Sequence, residues 1–505
     1  MPVSHWDNDE DNLEGEELLD MEEREDYKDA SENAAEDSAL PWRTLSLLYV
    51  IVCFDVSVLM VIIPFLPAFC EEKLGLSGVK LGTAVGLITS SYYLSNSISS
   101  AWMGHLSDIY GRRPVLFFGL ATGITTVSLF PFSTALWMAV LNRVVCGFFN
   151  SNITITKSCL ADISGKWGRE KRAATFGYLG AAWGLSRFFS SAFAGVTTGI
   201  KLKFLPIAGD NPYFFPCAGV SGLLLLVAIF AYFRLPETRN SDLIALHNAG
   251  SEDTQNAAGR SMLKRLGYLN ERGGPVLIRV IIVHMLHQFI NGGALTILVL
   301  FWALDENKGG YGLDSNQVGI LFAFYGLIGL VFQLLCFRTA SRKYGLRRLY
   351  NFGASLLSTG AIILWSAARL VLLTPSKPLR FTIMLLSSAP LSVGFMCGLP
   401  VLTGLLSNAS PPQIMGLSQG TAQSTGALCR MMGPIFFGTL FSFCVERGQN
   451  FVPFVGVSLL YIVALFITIS LPESLEYPFE DAAEIEVRDR KEVVSVHGVQ
   501  IQVAR

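Results

Sequence analysis

Eight polar or ionisable residues interrupt long apolar runs of this sequence: Asp55, Arg143, Asn150, Arg187, His284, His287, Asn291 and Arg430. A charged side chain at the centre of a hydrocarbon layer costs about 2.5 to 3.5 kcal/mol on insertion scales, so each such residue calls for a compensating role. Asp55 could bind and release a proton as a cavity alternates between two sides; the alternative is a fixed ion pair with an arginine or lysine. Arg187 and Arg430 could clamp a carboxylate or phosphate from both sides, which points to an anionic or zwitterionic solute. Either arginine could instead anchor an interhelical network with Asp55 or with backbone carbonyls. His284, Gln288 and Asn291 share one helical face with His287 beside it. A histidine could share proton relay with Asp55, or serve only as a packing hydrogen-bonder. Arg143, Gly147, Asn150, Thr154 and Lys157 recur at helical spacing, a polar face suited to a water-filled path. Lys157 is expected to snorkel toward the cytosol.

The elements that must carry these residues are membrane helices. The 505-residue chain is 51% hydrophobic and only 15% charged, and its mean hydropathy of +0.45 is too apolar for an ordinary soluble globule. Runs long enough to cross about 30 Å of hydrocarbon fall at 44–69, 82–103, 115–133, 135–161, 174–199 and 213–234. After a polar stretch from Pro236 to Pro275, six more fall at 277–302, 317–337, 350–373, 380–405, 416–444 and 450–472. The expected fold is an all-α membrane protein of twelve spans in two pseudo-symmetric six-helix bundles. Its parts are a disordered acidic tail at 1–41, bundles at 42–235 and 276–472, a linker at 236–275 and a C-terminal tail at 473–505.

Charge placement orients this plan. Residues 1 to 40 hold 16 Asp and Glu against Arg24 and Lys28, although the whole chain is only -2. Such a block is a solvated tail. Arg112 and Arg113, Lys166 to Arg172, the central linker and Arg338 to Arg348 concentrate basic residues on one side, which is therefore expected to be cytosolic and to hold both termini. The nine cysteines follow no metal-ligand spacing. Cys70, Cys217 and Cys444 fall near outer helix ends, a placement compatible with a disulfide between two of them; the remaining cysteines read mostly as small buried hydrophobes.

The two halves repeat one another. RLPET (Arg234 to Thr238) closes the first and SLPES (Ser470 to Ser474) the second, while DIYGRR (Asp108 to Arg113) is answered by RKYGLRR (Arg342 to Arg348). Gly177, Arg187 and Gly195 in span five match the spacing of Gly420, Arg430 and Gly438 in span eleven. Three matches in order argue for duplication, the usual origin of parallel transporter repeats.

The segment Gly104-His-Leu-Ser-Asp108-Ile-Tyr-Gly111-Arg112-Arg113 resembles the loop signature of the major facilitator superfamily, in its expected place after span two. Arg143-Val-Val-Cys-Gly147 resembles that family's span-four element, and Ala161 to Gly184 is similar to the span four to span five crossing of its twelve-span drug:proton antiporter branch. Within that branch the chain resembles zinc-induced-facilitator-like and tetracycline-resistance-like exporters. The resemblance covers 42 to 474. It implies a conformational gate built from Gly104, Asp108, Gly111, Arg112, Arg113 and Asp162, with Asp108 accepting hydrogen bonds from a neighbouring helix N-terminus and Arg112 and Arg113 pairing with Asp162. Those contacts would hold an outward-facing state. The chain departs from the pattern at Ile109, where a second base is common, and in span five, where Ser186, Arg187, Ser190, Ser191 and Ala194 replace glycines and a Gly-Pro kept only at Gly433-Pro434.

The function these features imply is secondary active transport of a small organic solute, proton-coupled, by alternating access around the eight central residues. The alternative is a transporter-derived sensor or adaptor without significant flux. Nothing resembles a phosphate-binding loop, a nucleophile elbow or a metal cluster, so an enzyme, an ATP-driven pump, a cofactor and nucleic-acid partners are not expected. Expected partners are the solute, protons, the lipid bilayer and a vesicle adaptor, the last read from Glu14, Leu18 and Leu19, which match an acidic dileucine sorting signal. That signal points to a vacuolar or lysosomal membrane, with the plasma membrane as the alternative, and the carrier is expected to be a monomer.

Overall fold

The computed structural model describes residues 42–164, 169–201, 210–238, 274–410 and 415–476. The acidic tail with its Glu14, Leu18 and Leu19 signal and most of the linker lie outside them. The helices fall where the apolar runs predict. The first half runs α1 (Trp42–Met60), α2 (Leu66–Glu72), α3 (Val79–Tyr110), α4 (Arg112–Leu129), α5 (Leu136–Phe149), α6 (Asn152–Ser164), α7 (Arg169–Thr197) and α8 (Phe214–Arg234). The second runs α9 (Gly274–Ala303), α10 (Ser315–Val331), α11 (Phe337–Tyr344), α12 (Leu346–Leu373), α13 (Lys377–Asn408), α14 (Met415–Glu446) and α15 (Val452–Ile469). A π turn at Phe332–Cys336 joins α10 to α11.

Among the described residues, nine helical stretches are long and apolar enough to cross a membrane. The three predicted spans outside that set are informative. α3 is rich in serine, span four is broken into α5 and α6, and α7 carries Arg187. Each directs polar groups at other helices rather than lipid, which lowers hydropathy without exposing charge to hydrocarbon.

The break in span four follows from its sequence. Asn150 leaves the helical region at φ -93° and ψ 73°, and the β-branched run Ile153-Thr-Ile-Thr156 follows. Backbone carbonyls freed inside a membrane must find donors. Asn96 Nδ2 of α3 donates to the carbonyls of Gly147 and Asn150 at 3.2 and 3.1 Å, and Ser99 Oγ donates to Gly147 at 3.4 Å.

The halves meet along two seams, α3 against α14 and α7 against α10. Small residues set the approach. A Cβ at Gly82 would sit 2.2 Å from the Gly438 carbonyl oxygen, and one at Gly195 would sit 2.8 Å from the Gly319 carbonyl carbon, so neither seam admits a side chain there. These contacts lie on the face opposite the Gly104–Arg113 loop. Toward the loop face the seam opens: nothing approaches a Cβ at Gly420, and Thr421, Gln423 and Ser424 of α14 are exposed.

Candidate functional site: a cationic cavity between two faces

Arg187 of α7 is buried and reaches across the seam, its guanidinium 4.0 Å from the Phe395 ring of α13. Its Nε and Nη1 are buried without a hydrogen-bond partner among the described residues. Arg430 of α14 reaches the other way, 5.6 Å from the Tyr93 ring of α3. The two guanidiniums share Tyr93 as an electrostatic neighbour, so they face one region from opposite halves. Cation–π contact offsets part of the desolvation of each, about 2 kcal/mol when dry. It leaves the in-plane N–H donors for something else.

Asp55 lies elsewhere. Its Oδ1 accepts from Asn150 Nδ2 at 3.0 Å and from Asn152 Nδ2 at 2.8 Å, the two amides flanking the break in span four. A Cβ at Gly119 would sit 2.1 Å from Asn152 Oδ1, so the pocket backs onto α4, inside the first half. The fixed ion pair with an arginine is thus replaced by two neutral amide donors. Arg143, two turns before Asn150, stacks 4.9 Å from the Tyr92 ring and leaves its Nε unpartnered among the described residues.

The hydrogen-bond partners of Asp55 are in the first half, whereas the described neighbours of His284 and His287 are in the second. Both histidines belong to α9 of the second half. A Cβ at Gly426 would meet His284, whose charged neighbour is Arg430. His287 is enclosed by the rings of Tyr350 and Tyr461 at 5.9 and 6.0 Å. Gln288 is buried beside them and Asn291 is half-buried. Asp55 thus sits with Asn150 and His284 with Arg430, while Arg187 and Arg430 have Tyr93 as a common neighbour.

The loop signature folds as a brace. Gly111 turns the chain at φ +95°, open to glycine, and Arg112 sits buried at the start of α4. Arg112 Nη1 meets Asp108 Oδ1 and Ser107 Oγ, each at 2.7 Å, and its Nε meets Asp162 Oδ2 at 3.0 Å. Arg113 does not pair with Asp162. It donates to the Tyr232 carbonyl and lies 5.0 Å from that ring. A carboxylate that caps the N-terminus of α4 is Glu237: its two oxygens accept the backbone N–H groups of Arg112 and Arg113 at 2.9 and 3.0 Å. In the second half Glu476 accepts Leu346 and Arg347 N–H at 2.5 and 3.1 Å, while Glu473 pairs with the Arg347 guanidinium at 2.8 Å. The contacts described for Gly104 to Arg113 stay within the first half. They stiffen that bundle.

What joins the halves is on the opposite face. Glu446, ending α14, accepts the Val79 N–H at the start of α3 at 2.9 Å. Thr83 and Thr439 hydroxyls meet at 3.0 Å, and Ser90 Oγ donates to the Met431 carbonyl at 2.5 Å. No feature of Glu446 in the sequence distinguished it from an ordinary loop acid. Cys70, Cys217 and Cys444 are buried free thiols.

Two helical halves closed at one face, open at the other and polar between define a membrane carrier. The chain belongs to the Major Facilitator Superfamily, whose profile matches residues 45–434. It is 26% identical to the class E tetracycline resistance protein of Escherichia coli over 427 residues, covering 84% of this chain and 94% of that one. It is 25% identical over 437 residues to Protein ZINC INDUCED FACILITATOR-LIKE 1 of Arabidopsis thaliana, covering 84% and 88%. A solved D-xylose-proton symporter shares the fold at a TM-score of 0.65 and 16% identity, covering 87% of this chain and all of that one. The protein is a multi-pass transporter rather than an enzyme.

Proposed function

We propose that this transporter carries a small organic anion by alternating access across twelve spans, with Arg187 and Arg430 as the binding pair and Asp55 as the proton-coupling residue. The observation that carries the reading is the pair itself: one guanidinium from each half, both facing Tyr93, with no carboxylate among their charged neighbours. A buried guanidinium without a counter-charge is costly, and an incoming carboxylate or phosphate would relieve both at once. Because the two arginines belong to different halves, one anion would link the bodies that must rock against each other. In this reading the loop face is the open one and faces the cytosol, the side to which the positive-inside rule assigns the basic loops.

Proton coupling is supported by placement. Among the described residues Asp55 is the carboxylate set deep within a span, and its neutral amide partners leave its charge free to change. In proteoliposomes, Arg430→Gln and Arg187→Gln should each lower anion uptake at least tenfold, about 1.4 kcal/mol of lost binding. Anion uptake at the wild-type rate in both variants would refute the pairing.

A further inference from the structure

Asp55 is only 4% exposed, and it pairs with no Lys or Arg among the described residues. Its two hydrogen bonds, at 3.0 and 2.8 Å, both come from neutral amides, Asn150 Nδ2 and Asn152 Nδ2. Arg143, also of span four, stacks on the Tyr92 ring instead. A buried carboxylate without a counter-charge is costly, most of all within a span.

The two amides are themselves incomplete. Asn150 Oδ1 and Asn152 Oδ1 are buried and accept no hydrogen bond among the described residues. Each unmet acceptor costs about 1 to 3 kcal/mol. Behind them α4 offers glycines: a Cβ at Gly119 would sit 2.1 Å from Asn152 Oδ1, and one at Gly123 would sit 2.9 Å from Asn150 Nδ2 and 3.9 Å from Asp55 Oδ1.

A proton on Asp55 cures only part of this deficit. A protonated carboxyl has one O–H donor, so it serves one amide oxygen and leaves the other unmet. A metal cation meets the carboxylate and both amide oxygens together. A carboxamide turned end over end exchanges its NH2 for its oxygen with almost no change of shape, so both oxygens can take the places their nitrogens hold beside Asp55 without repacking against α4. Oxygen donors of this kind suit a hard cation. One carboxylate balances a single charge, whereas a divalent ion would leave an excess of one in a low-dielectric interior. The group also lies at the break in span four, the kind of helix interruption at which carriers hold coupling ions. The other ionisable groups around Asp55 are Tyr92 of α3 and Cys146 and Arg143 of α5.

We propose that Asp55, Asn150 and Asn152 form a sodium site, in which the ion exchanges with the proton on Asp55. The proposal rests on Asp55 as the coupling group and adds the second ion that it serves. With sodium bound, the carboxylate and both amide oxygens turn onto the ion; without it, the amides donate to the bare carboxylate. Proton and sodium exclude one another because both use the same carboxylate.

The test is equilibrium binding of radioactive sodium to the purified full-length carrier at neutral pH, with choline chloride holding the ionic strength. Wild-type protein should bind a single ion per chain saturably, and acidification should displace it. Asp55→Asn should lose the binding, and Asn152→Ala should weaken it about tenfold or more. Thermal unfolding of each variant establishes that it is folded. No saturable binding by the wild type, or binding at wild-type affinity by folded Asp55→Asn or Asn152→Ala, overturns the proposal. If the wild type binds no sodium while the response of uptake to an imposed pH gradient is lost in Asp55→Asn, the coupling reading stands and Asp55 serves protons alone. If sodium binding requires Asp55 while uptake by Asp55→Asn still follows the pH gradient, the sodium site stands and the coupling reading falls.

Discussion

In the proposed scheme, the distinct surroundings of Asp55 and of Arg187 and Arg430 would divide labour at the level of single side chains. A carboxylate paired with the binding arginines would lose its charge sensitivity to the substrate, whereas one held by two asparagine amides responds to protons independently. Asp55→Asn keeps the amide geometry and removes the ionisable group. It should abolish the response of uptake to an imposed pH gradient while leaving solute counterflow within about twofold; gradient-driven uptake at wild-type level would exclude Asp55 as the coupling group. The identity of these residues was legible because charge within an apolar run is conspicuous. Their grouping was not, since Arg187 and Phe395, or Arg430 and Tyr93, are far apart in sequence and meet only through packing of the two halves.

Helix ends carry the next layer. Glu237 and Glu476 each place both carboxylate oxygens on the first N–H groups of α4 and α12, just after glycine turns at Gly111 and Gly345. Removing such a cap costs about 0.5 to 2 kcal/mol. Glu237→Ala should lower the thermal unfolding midpoint measurably, and Asp108→Asn should lower it less, since Glu237 takes two backbone N–H groups of the helix; the reverse order would contradict the assignment. The repeated LPE motif announced duplication in the sequence but gave no sign that Glu237 of the first copy is a cap, or that in the second copy Glu473 pairs with the Arg347 side chain while Glu476 is the cap, because that depends on where each preceding helix ends. The break in span four was equally hidden. Arg143, Gly147, Asn150, Thr154 and Lys157 fit a 3.6-residue stripe whether or not the helix is continuous, and only the donors Asn96 and Ser99 on another helix reveal that carbonyls have been freed. At the opposite face, Glu446 holds α14 to the N-terminus of α3. A charge-assisted bond to backbone N–H contributes about 1.5 to 3 kcal/mol. Glu446→Gln should therefore shift the population toward opening at that face, seen as faster modification of a cysteine placed at Thr83; an unchanged rate would show that the seam closes without the carboxylate.

On the scale of the whole molecule, the two bundles, their duplication and the positions of the helices could be read from apolar runs and basic loops alone, because a bilayer imposes span length and backbone satisfaction. The relative placement of the halves could not, because it depends on small-residue seams such as Gly82 with Gly438 and Gly195 with Gly319. Closing those seams and opening the loop face leaves a cationic space between the bundles, and the account stands on what that space binds. Counterflow exchange in proteoliposomes, comparing anionic, neutral and cationic solutes of similar size on wild-type and Arg430→Gln carriers, tests this most directly. The predicted result is exchange of anions by the wild type that falls at least tenfold in Arg430→Gln. Exchange of neutral or cationic solutes in preference to anions, undiminished in Arg430→Gln, would contradict it.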